Sequence, residues 1–395
     1  MARGGPRGSL LGNQLGSMHL PKVVSVNTPG IRSLLAAAAL LLLGSGALLV
    51  ARTTQGRDPG VAAAFDTLRH GGRLADALDL LGRAAARDSA VLRNGHQLAH
   101  ALGRLAVVES HGDASVVSQC RPDFASGCYH GVVEAFVQAR GRVDMAELER
   151  MCAAAGGDDA PGPVHECVHG LGHGVFGAVG DLETALHHCD ALKPDLDAWC
   201  RDGVFMEAMS PAMTESGPGH MHESMHHSQL RSDAADPYSP CDRFDGPNGS
   251  ACWVFQGFLI LRERGFDTEK ALRVCDGAPA GRTRDCYESI GLQVAGLSQR
   301  DDAWIIGQCG RGRPDLAPDC AAGAARALVQ MDWSGERAAR FCGESPAGWK
   351  DACYRRMGAF LADLAGPARR RALCQRVEPG YTGLCRQAAG IDPAS

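Results

Sequence analysis

The chain has 395 residues and a formal net charge of −5, so it is long enough for two ordinary domains or for one elongated repeat array. It contains no basic block, which argues against a nucleic-acid-binding protein, because such proteins carry clustered Lys and Arg. Only 5% of the residues are aromatic, Ala and Gly are abundant, and no run of alternating β-branched residues predicts a strand. The composition therefore predicts an all-α protein of closely packed helices without a nucleic-acid partner.

The N-terminal region indicates export. Residues 1–32 are rich in Gly and Pro, basic and free of acidic residues, which predicts a disordered segment, and residues 33–51 are apolar without a charge. This apolar segment is long enough for a transmembrane anchor. It also fits a signal peptide with an apolar core at 34–43 and small residues at 45–47. We favour the anchor because residues 48–50 extend the apolar run. Either interpretation predicts a protein at the exported face of the cell envelope or a secreted one.

A helical repeat covers residues 62–390. A first hairpin is predicted at 62–70 and 74–87, and each later unit has a helix A near a cysteine and a helix B that ends on the next cysteine. The helix-A cysteines recur about 34 residues apart, which is typical of a helical-hairpin solenoid. We divide it into residues 62–240 and the C-terminal repeats 241–390. Residues predicted to cap the N-termini of B helices are Asp113, Asp144, Asp181, Asp267 and Asp332.

The sixteen cysteines form eight regular pairs, six of them eleven residues apart, which predicts disulfides and an oxidising compartment. The absence of any CxxC pair argues against thiolate zinc sites. Pairing within each repeat would leave Cys120 and Cys385 without partners. Pairing each helix-B cysteine with the next helix-A cysteine leaves none over, and this sequential pairing is our prediction.

One unit, Cys286 to Cys309, shows the pattern clearly: a glycine follows the first cysteine after five residues, and Asp and a second cysteine come later. In this it resembles the tetratricopeptide-like repeats of cysteine-rich secreted solenoids. The usual Trp and Pro landmarks of tetratricopeptide repeats are mostly missing. The resemblance implies an architecture and no particular activity.

Three consecutive A helices carry the same signature, in which a His is followed four residues later by a His or Glu. Residues four apart lie on one face of a helix, one turn above each other. If the A helices lie side by side along a concave groove, six side chains converge there. These candidate metal ligands are His96, His100, His130, Glu134, His169 and His173.

Five imidazoles and one carboxylate suffice for two four-coordinate ions or for a dinuclear centre with open positions. Such a set favours zinc, copper or iron over calcium or magnesium, without identifying the metal. Glu134 and His165 are the candidates for proton transfer. Later helices carry Val254/Phe258 and Glu288/Leu292 at the equivalent places, so the repeat itself does not impose the ligand pattern.

Residues 206–240 interrupt the repeat with an insertion rich in Met and His. Thioethers and imidazoles suit Cu(I), so the insertion fits a copper-acquiring arm. Alternatively, it is a lid whose methionines pack over the groove.

Three functions remain open at this stage. The first is a metalloenzyme with hydrolytic or oxidative chemistry, and the second is an envelope protein that binds or delivers copper or zinc. The third is a scaffold that binds a protein partner along its groove. The predicted partners are thus a metal ion, the membrane through residues 33–51 and a protein in the groove.

Overall fold

A computed structural model of the chain describes residues 58–157, 160–214, 230, 235–298 and 301–391. Within these residues there is no β-strand, and an isolated bridge joins Gly157 and Ala160. The α-helices are α1 Pro59–Arg69, α2 Leu74–Arg87, α3 Ser89–Arg93, α4 Gly95–Glu109, α5 Gly127–Arg140, α6 Met145–Ala153, α7 Gly162–Val179, α8 Leu182–Cys189, α9 Asp197–Thr214, α10 Gly246–Glu263, α11 Thr268–Cys275, α12 Thr283–Ser298, α13 Asp302–Cys309, α14 Ala317–Asp332, α15 Glu336–Glu344, α16 Lys350–Leu364, α17 Pro367–Cys374 and α18 Thr382–Ala388. The predicted all-α class is confirmed.

The A helices form a continuous row. In chain order they are α4, α5, α7, α9, α10, α12, α14, α16 and α18, and each packs against the next. Shorter B helices, such as α6, α8 and α11, connect them, and the cysteine-free hairpin of α1 and α2 packs on α4. Every A helix contributes buried apolar side chains to one cluster, so the core runs along the whole row.

An aspartate caps the N-terminus of most of the B helices. Asp144 accepts a hydrogen bond from the backbone N–H of Glu147, and Asp181 does the same for Thr184, at 3.0 and 2.9 Å. Asp267 caps α11 in the same way, and Asp113 begins a short 3₁₀ helix at Ala114–Gln119.

The prediction for Asp332 was wrong. This residue is the last of α14, because the left-handed backbone of Trp333 (φ 54°) ends the helix there. α15 therefore begins later, at Glu336, whose N–H donates to the Ser334 hydroxyl.

The disulfide prediction is confirmed for all eight pairs. Each bridge joins the cysteine at the end of one hairpin to the cysteine in the next A helix, with Cα atoms 5.3 to 5.7 Å apart. Each closes a loop of 8 to 15 residues, which stabilises the fold by restricting the unfolded chain. The pairs are Cys120–Cys128, Cys152–Cys167, Cys189–Cys200, Cys241–Cys252, Cys275–Cys286, Cys309–Cys320, Cys342–Cys353 and Cys374–Cys385.

Later helices of the chain contact the helices of the predicted groove. α16 packs on α7, and the Phe360 ring stacks on Trp199 of α9 with centroids 5.4 Å apart. From α14, the Arg326 guanidinium donates to Asp202 of α9 at 2.8 Å. The predicted groove therefore has neighbours from distant parts of the sequence, which the repeat pattern did not indicate.

Two predicted features lie wholly or partly outside the described residues. In the part of the chain that the structure describes, no helix is long and apolar enough to span a membrane, and the segment 33–51 is outside it. The insertion begins inside α9, where Met206 packs on the core and Met209 is fully buried. Its His-rich part, residues 219–227, is outside the described residues.

Candidate metal centre

Five imidazole rings from α4, α5 and α7 form one cluster. The ring centroid of His130 lies 5.3, 5.9, 5.0 and 4.6 Å from those of His96, His100, His169 and His173. His130 is therefore the centre of the cluster, and the i, i+4 register does bring the predicted side chains together.

Glycines let the ligand-bearing helices approach closely. A Cβ added at Gly131 of α5 would lie 1.9 Å from the carbonyl oxygen of His100 in α4. One added at Gly203 of α9 would lie 1.9 Å from the carbonyl oxygen of His169 in α7. Any larger residue at these positions would push the helices apart. The repeat glycines thus set the distance between the helices that carry the candidate metal ligands.

His130 is buried without hydrogen bonds. Its side chain is 2% exposed, and neither Nδ1 nor Nε2 has a hydrogen-bond partner among the described residues. Burial, and then the neighbouring imidazoles, hold its pKa well below the usual value, so the ring is neutral. Two buried and unpaired ring nitrogens are costly unless something binds them, and a metal ion fits a neutral imidazole.

His169 and His173 have their Nε2 atoms 3.2 Å apart. Two nitrogens on a tetrahedral zinc ion, with bonds of about 2.05 Å, lie about 3.3 Å apart, so this spacing fits a shared ion. On the other side of its ring, Nδ1 of His173 lies 2.9 Å from a carboxylate oxygen of Glu207 in α9. A carboxylate at Nδ1 fixes the tautomer that leaves Nε2 free for a metal.

The ligand atoms fall into two groups. One atom from each of His130, His169 and His173 lies within 4.8 Å of the others, and we call these residues the three-histidine group. The same spacing holds for Glu134, His173 and Glu207, which we call the mixed group. His173 belongs to both.

A strained turn positions His96. Its Nδ1 lies 2.9 Å from the carbonyl oxygen of Phe124, which leaves Nε2 free. Phe124, Ala125 and Ser126 all have positive φ values, 58°, 50° and 63°, and this conformation costs about 1–2 kcal/mol per non-Gly residue. Burial, together with the charge of neighbouring His100, lowers the pKa of His96 to about 4, so this ring is also neutral. Strain stored beside a cluster of ligands is typical of functional sites.

Glu134 lies between two donors. Its Oε1 is 3.1 Å from Nε2 of His100, and its Oε2 accepts from Arg104 at 3.0 Å. Burial alone would raise the pKa of Glu134, but His100 and Arg104 outweigh burial and hold that pKa well below its usual value. Burial lowers the pKa of His100. Glu134 is therefore a carboxylate at neutral pH.

The mixed group is the more open side of the cluster. The side chains of Glu134, Glu207 and Arg104 are 12%, 22% and 24% exposed, whereas those of His100 and His173 are 6% and 5% exposed. These two carboxylates and Arg104 are therefore more exposed than His100 and His173.

A second buried carboxyl group, Glu166, lies on α7 three residues before His169. It is fully buried, and neither of its oxygens has a hydrogen-bond partner of normal geometry among the described residues. Burial raises its pKa to about 8, against smaller opposing effects of Ser126, Gln330 and Arg326. Sequence analysis missed Glu166, and its only signal was a charged residue on the buried face of an A helix.

Three further side chains have surroundings that the sequence did not indicate. His165 stacks on Trp199 of α9 with centroids 5.1 Å apart, and its Nδ1 contacts the carbonyl oxygen of Asp363 in α16. Arg104 and Glu207 were not among the predicted ligands. The helical pattern could have indicated both residues, because Arg104 follows His100 by one turn and Glu207 lies on the next A helix.

Comparison with known proteins adds no information about the function of the site. The chain matches no known protein family, no curated protein and no solved structure at a significant level. The class that fold and site define is therefore a disulfide-rich, all-helical protein with His and Glu groups suited to a metal ion.

Proposed function

We propose that this chain is a metalloprotein that holds a transition-metal ion in the three-histidine group. The observation that carries the proposal is His130, a buried and neutral imidazole with two unpaired nitrogens at the centre of four other imidazoles. Replacing water around such a ring without a new partner is unfavourable, and a metal ion would supply that partner.

The donor set supports zinc, copper or iron. Three imidazoles and no thiolate or thioether form the group, and all sixteen cysteines are committed to disulfides. Three protein ligands leave one tetrahedral position open, as in catalytic rather than structural zinc sites. Phe124 and Glu207 would orient His96 and His173 as outer partners, since each contacts Nδ1 of its imidazole.

We further propose that the site is catalytic. A bound ion would act as a Lewis acid or redox centre toward a small substrate that enters beside the mixed group. Glu134, ionised at neutral pH and fixed by Arg104, would orient that substrate or accept its proton. His165 receives no role, because its contacts are to Asp363 and Trp199. The chemistry is hydrolytic or oxidative according to the metal.

Eight disulfides support an oxidising location outside the cytosol. We propose that residues 33–51 export the chain and anchor it, and that the repeats form a stapled solenoid in the envelope. Burial of the imidazoles favours a retained metal over a delivered one, because an exchanging carrier needs exposed ligands.

Elemental analysis of the full-length oxidised chain, purified without a histidine tag, tests the proposal. We expect about one equivalent or more of zinc, copper or iron that disappears in His130→Ala. The matched control is His187→Ala, because His187 is an exposed histidine of α8. Metal retained by His130→Ala, or none bound by the wild type after incubation with each ion, would contradict the proposal.

A further inference from the structure

The mixed group remains after the three-histidine group has been assigned one ion. Glu134 follows His130 by one turn on α5, and His173 follows His169 by one turn on α7. Glu134 and His173 therefore lie one turn, or about 5.4 Å, further along these helices than His130 and His169. Its three ligand atoms are as close together as those of the three-histidine group.

His173 connects the two groups through opposite sides of one ring. Its Nε2 lies 3.2 Å from Nε2 of His169, and its Nδ1 lies 2.9 Å from Oε2 of Glu207. Each nitrogen therefore faces a different set of ligand atoms. An imidazole that loses its Nδ1 proton can bind one ion at each nitrogen.

Local charge also favours a cation beside Glu134 and Glu207. Arg104 donates to Oε2 of Glu134 at 3.0 Å, and Oε2 of Glu207 lies 2.9 Å from Nδ1 of His173. Two carboxylates and one imidazole nitrogen form a harder ligand set than three imidazoles. An ion bound there would replace one of the contacts of Glu134, either with His100 or with Arg104. Both carboxylates are also partly exposed, so an ion and its water can reach them.

We propose that the mixed group is a second metal site, which makes the centre dinuclear with His173 as the bridging ligand. The proposal rests on the proposed function, because His173 is shared between the sites. Glu134, Glu207 and Nδ1 of His173 would hold the second ion. A substrate with an oxyanion or a polarised oxygen is the class that two such ions would bind, on the open side next to Arg104.

The competing explanation is that Glu207 only orients His173 for a single ion. The stoichiometry of zinc separates the two. Metal-free, oxidised full-length chain is incubated with Zn²⁺ alone, excess zinc is removed by gel filtration, and zinc per chain is measured. We expect two ions in the wild type and one in both Glu207→Gln and Glu134→Gln. Glu183→Gln, a change at an exposed glutamate of α8, should keep two.

Each result decides between the alternatives. One zinc in the wild type that His130→Ala removes would overturn the second site and leave the proposed function intact. No zinc in the wild type would overturn the second site, and the absence of bound copper and iron after the corresponding incubations would overturn the proposed function as well. Two zinc ions retained in Glu207→Gln and Glu134→Gln would place the second ion elsewhere and overturn this assignment. If a variant fails to fold by circular dichroism, the wild-type stoichiometry still decides.

Discussion

Nε2 of His169 lies 3.2 Å from Nε2 of His173, one helical turn further along α7. At this distance one neutral ring can donate an Nε2–H to the other, or two unprotonated nitrogens can share one metal ion. The contact of Nδ1 of His173 with Glu207 favours the tautomer of His173 that leaves its Nε2 unprotonated. The predictions below assume that both Nε2 atoms bind one ion.

The close approach of α4 and α5 gives the first prediction. Gly131→Ala would place a methyl group against the His100 carbonyl, so the helices must separate. We expect the free energy of unfolding to fall by about 1–3 kcal/mol, as in overpacked cores, and metal affinity to fall with it. Urea denaturation and zinc titration measure both.

Gly177→Ala is the matched control for that variant. Gly177 also lies in an A helix, α7, but an added Cβ meets nothing within 4 Å. Alanine is the better helix former, so the variant should be more stable by about 0.5–1 kcal/mol and bind metal normally. Equal effects of the two substitutions would show that helix spacing does not control the site.

Glu166 gives a pH-dependent prediction. Burial raises its pKa to about 8 in the folded metal-free protein, from an ordinary value of 4.5. Between these values the folded state binds more protons than the unfolded state, so the free energy of unfolding falls as pH rises from about 5 to 8. Glu166→Gln cannot ionise and should remove this loss.

We expect Glu166→Gln to exceed the wild type by about 2–4 kcal/mol at pH 8.5 and to match it near pH 5. Urea denaturation of the metal-free proteins across this range measures the difference, with the exposed Glu183→Gln as control. A constant difference between wild type and Glu166→Gln at all pH values would mean that Glu166 does not titrate in this window.

The disulfides should differ in their effect on the site. Cys152–Cys167 fixes α7 two residues before His169, whereas Cys374–Cys385 joins the last two α-helices. Replacing either pair by Ala should lower the free energy of unfolding by about 2–5 kcal/mol. Only the first replacement should also weaken metal binding, measured by competition with a chelator. Equal loss of affinity in both would indicate that general stability, not the position of α7, governs the site.

The sequence predicted features that depend on local spacing. Cysteines eleven residues apart allowed one sequential pairing, and the pairs from Cys120–Cys128 to Cys374–Cys385 follow it. The i, i+4 His and Glu pairs share a helix face by geometry alone, so their clustering around His130 was predictable.

Features that depend on distant parts of the chain were not predictable. The contact between Arg326 and Asp202 spans 124 residues, so nothing local shows that α14 contacts α9. For the same reason His165 looked available for catalysis, although Asp363, 198 residues later, contacts its Nδ1. Asp332 resembled a cap because the left-handed turn at Trp333 has no glycine to mark it.

X-ray absorption at the edge of the bound metal tests the central claim most directly. The full-length oxidised chain should show a coordination sphere of nitrogen and oxygen at about 2.0–2.1 Å for zinc, with imidazole scattering from at least three rings. In His130→Ala the imidazole count should fall or the metal should be lost. A coordination sphere with sulfur, or one with no imidazole, would contradict a centre built on His130, His169 and His173.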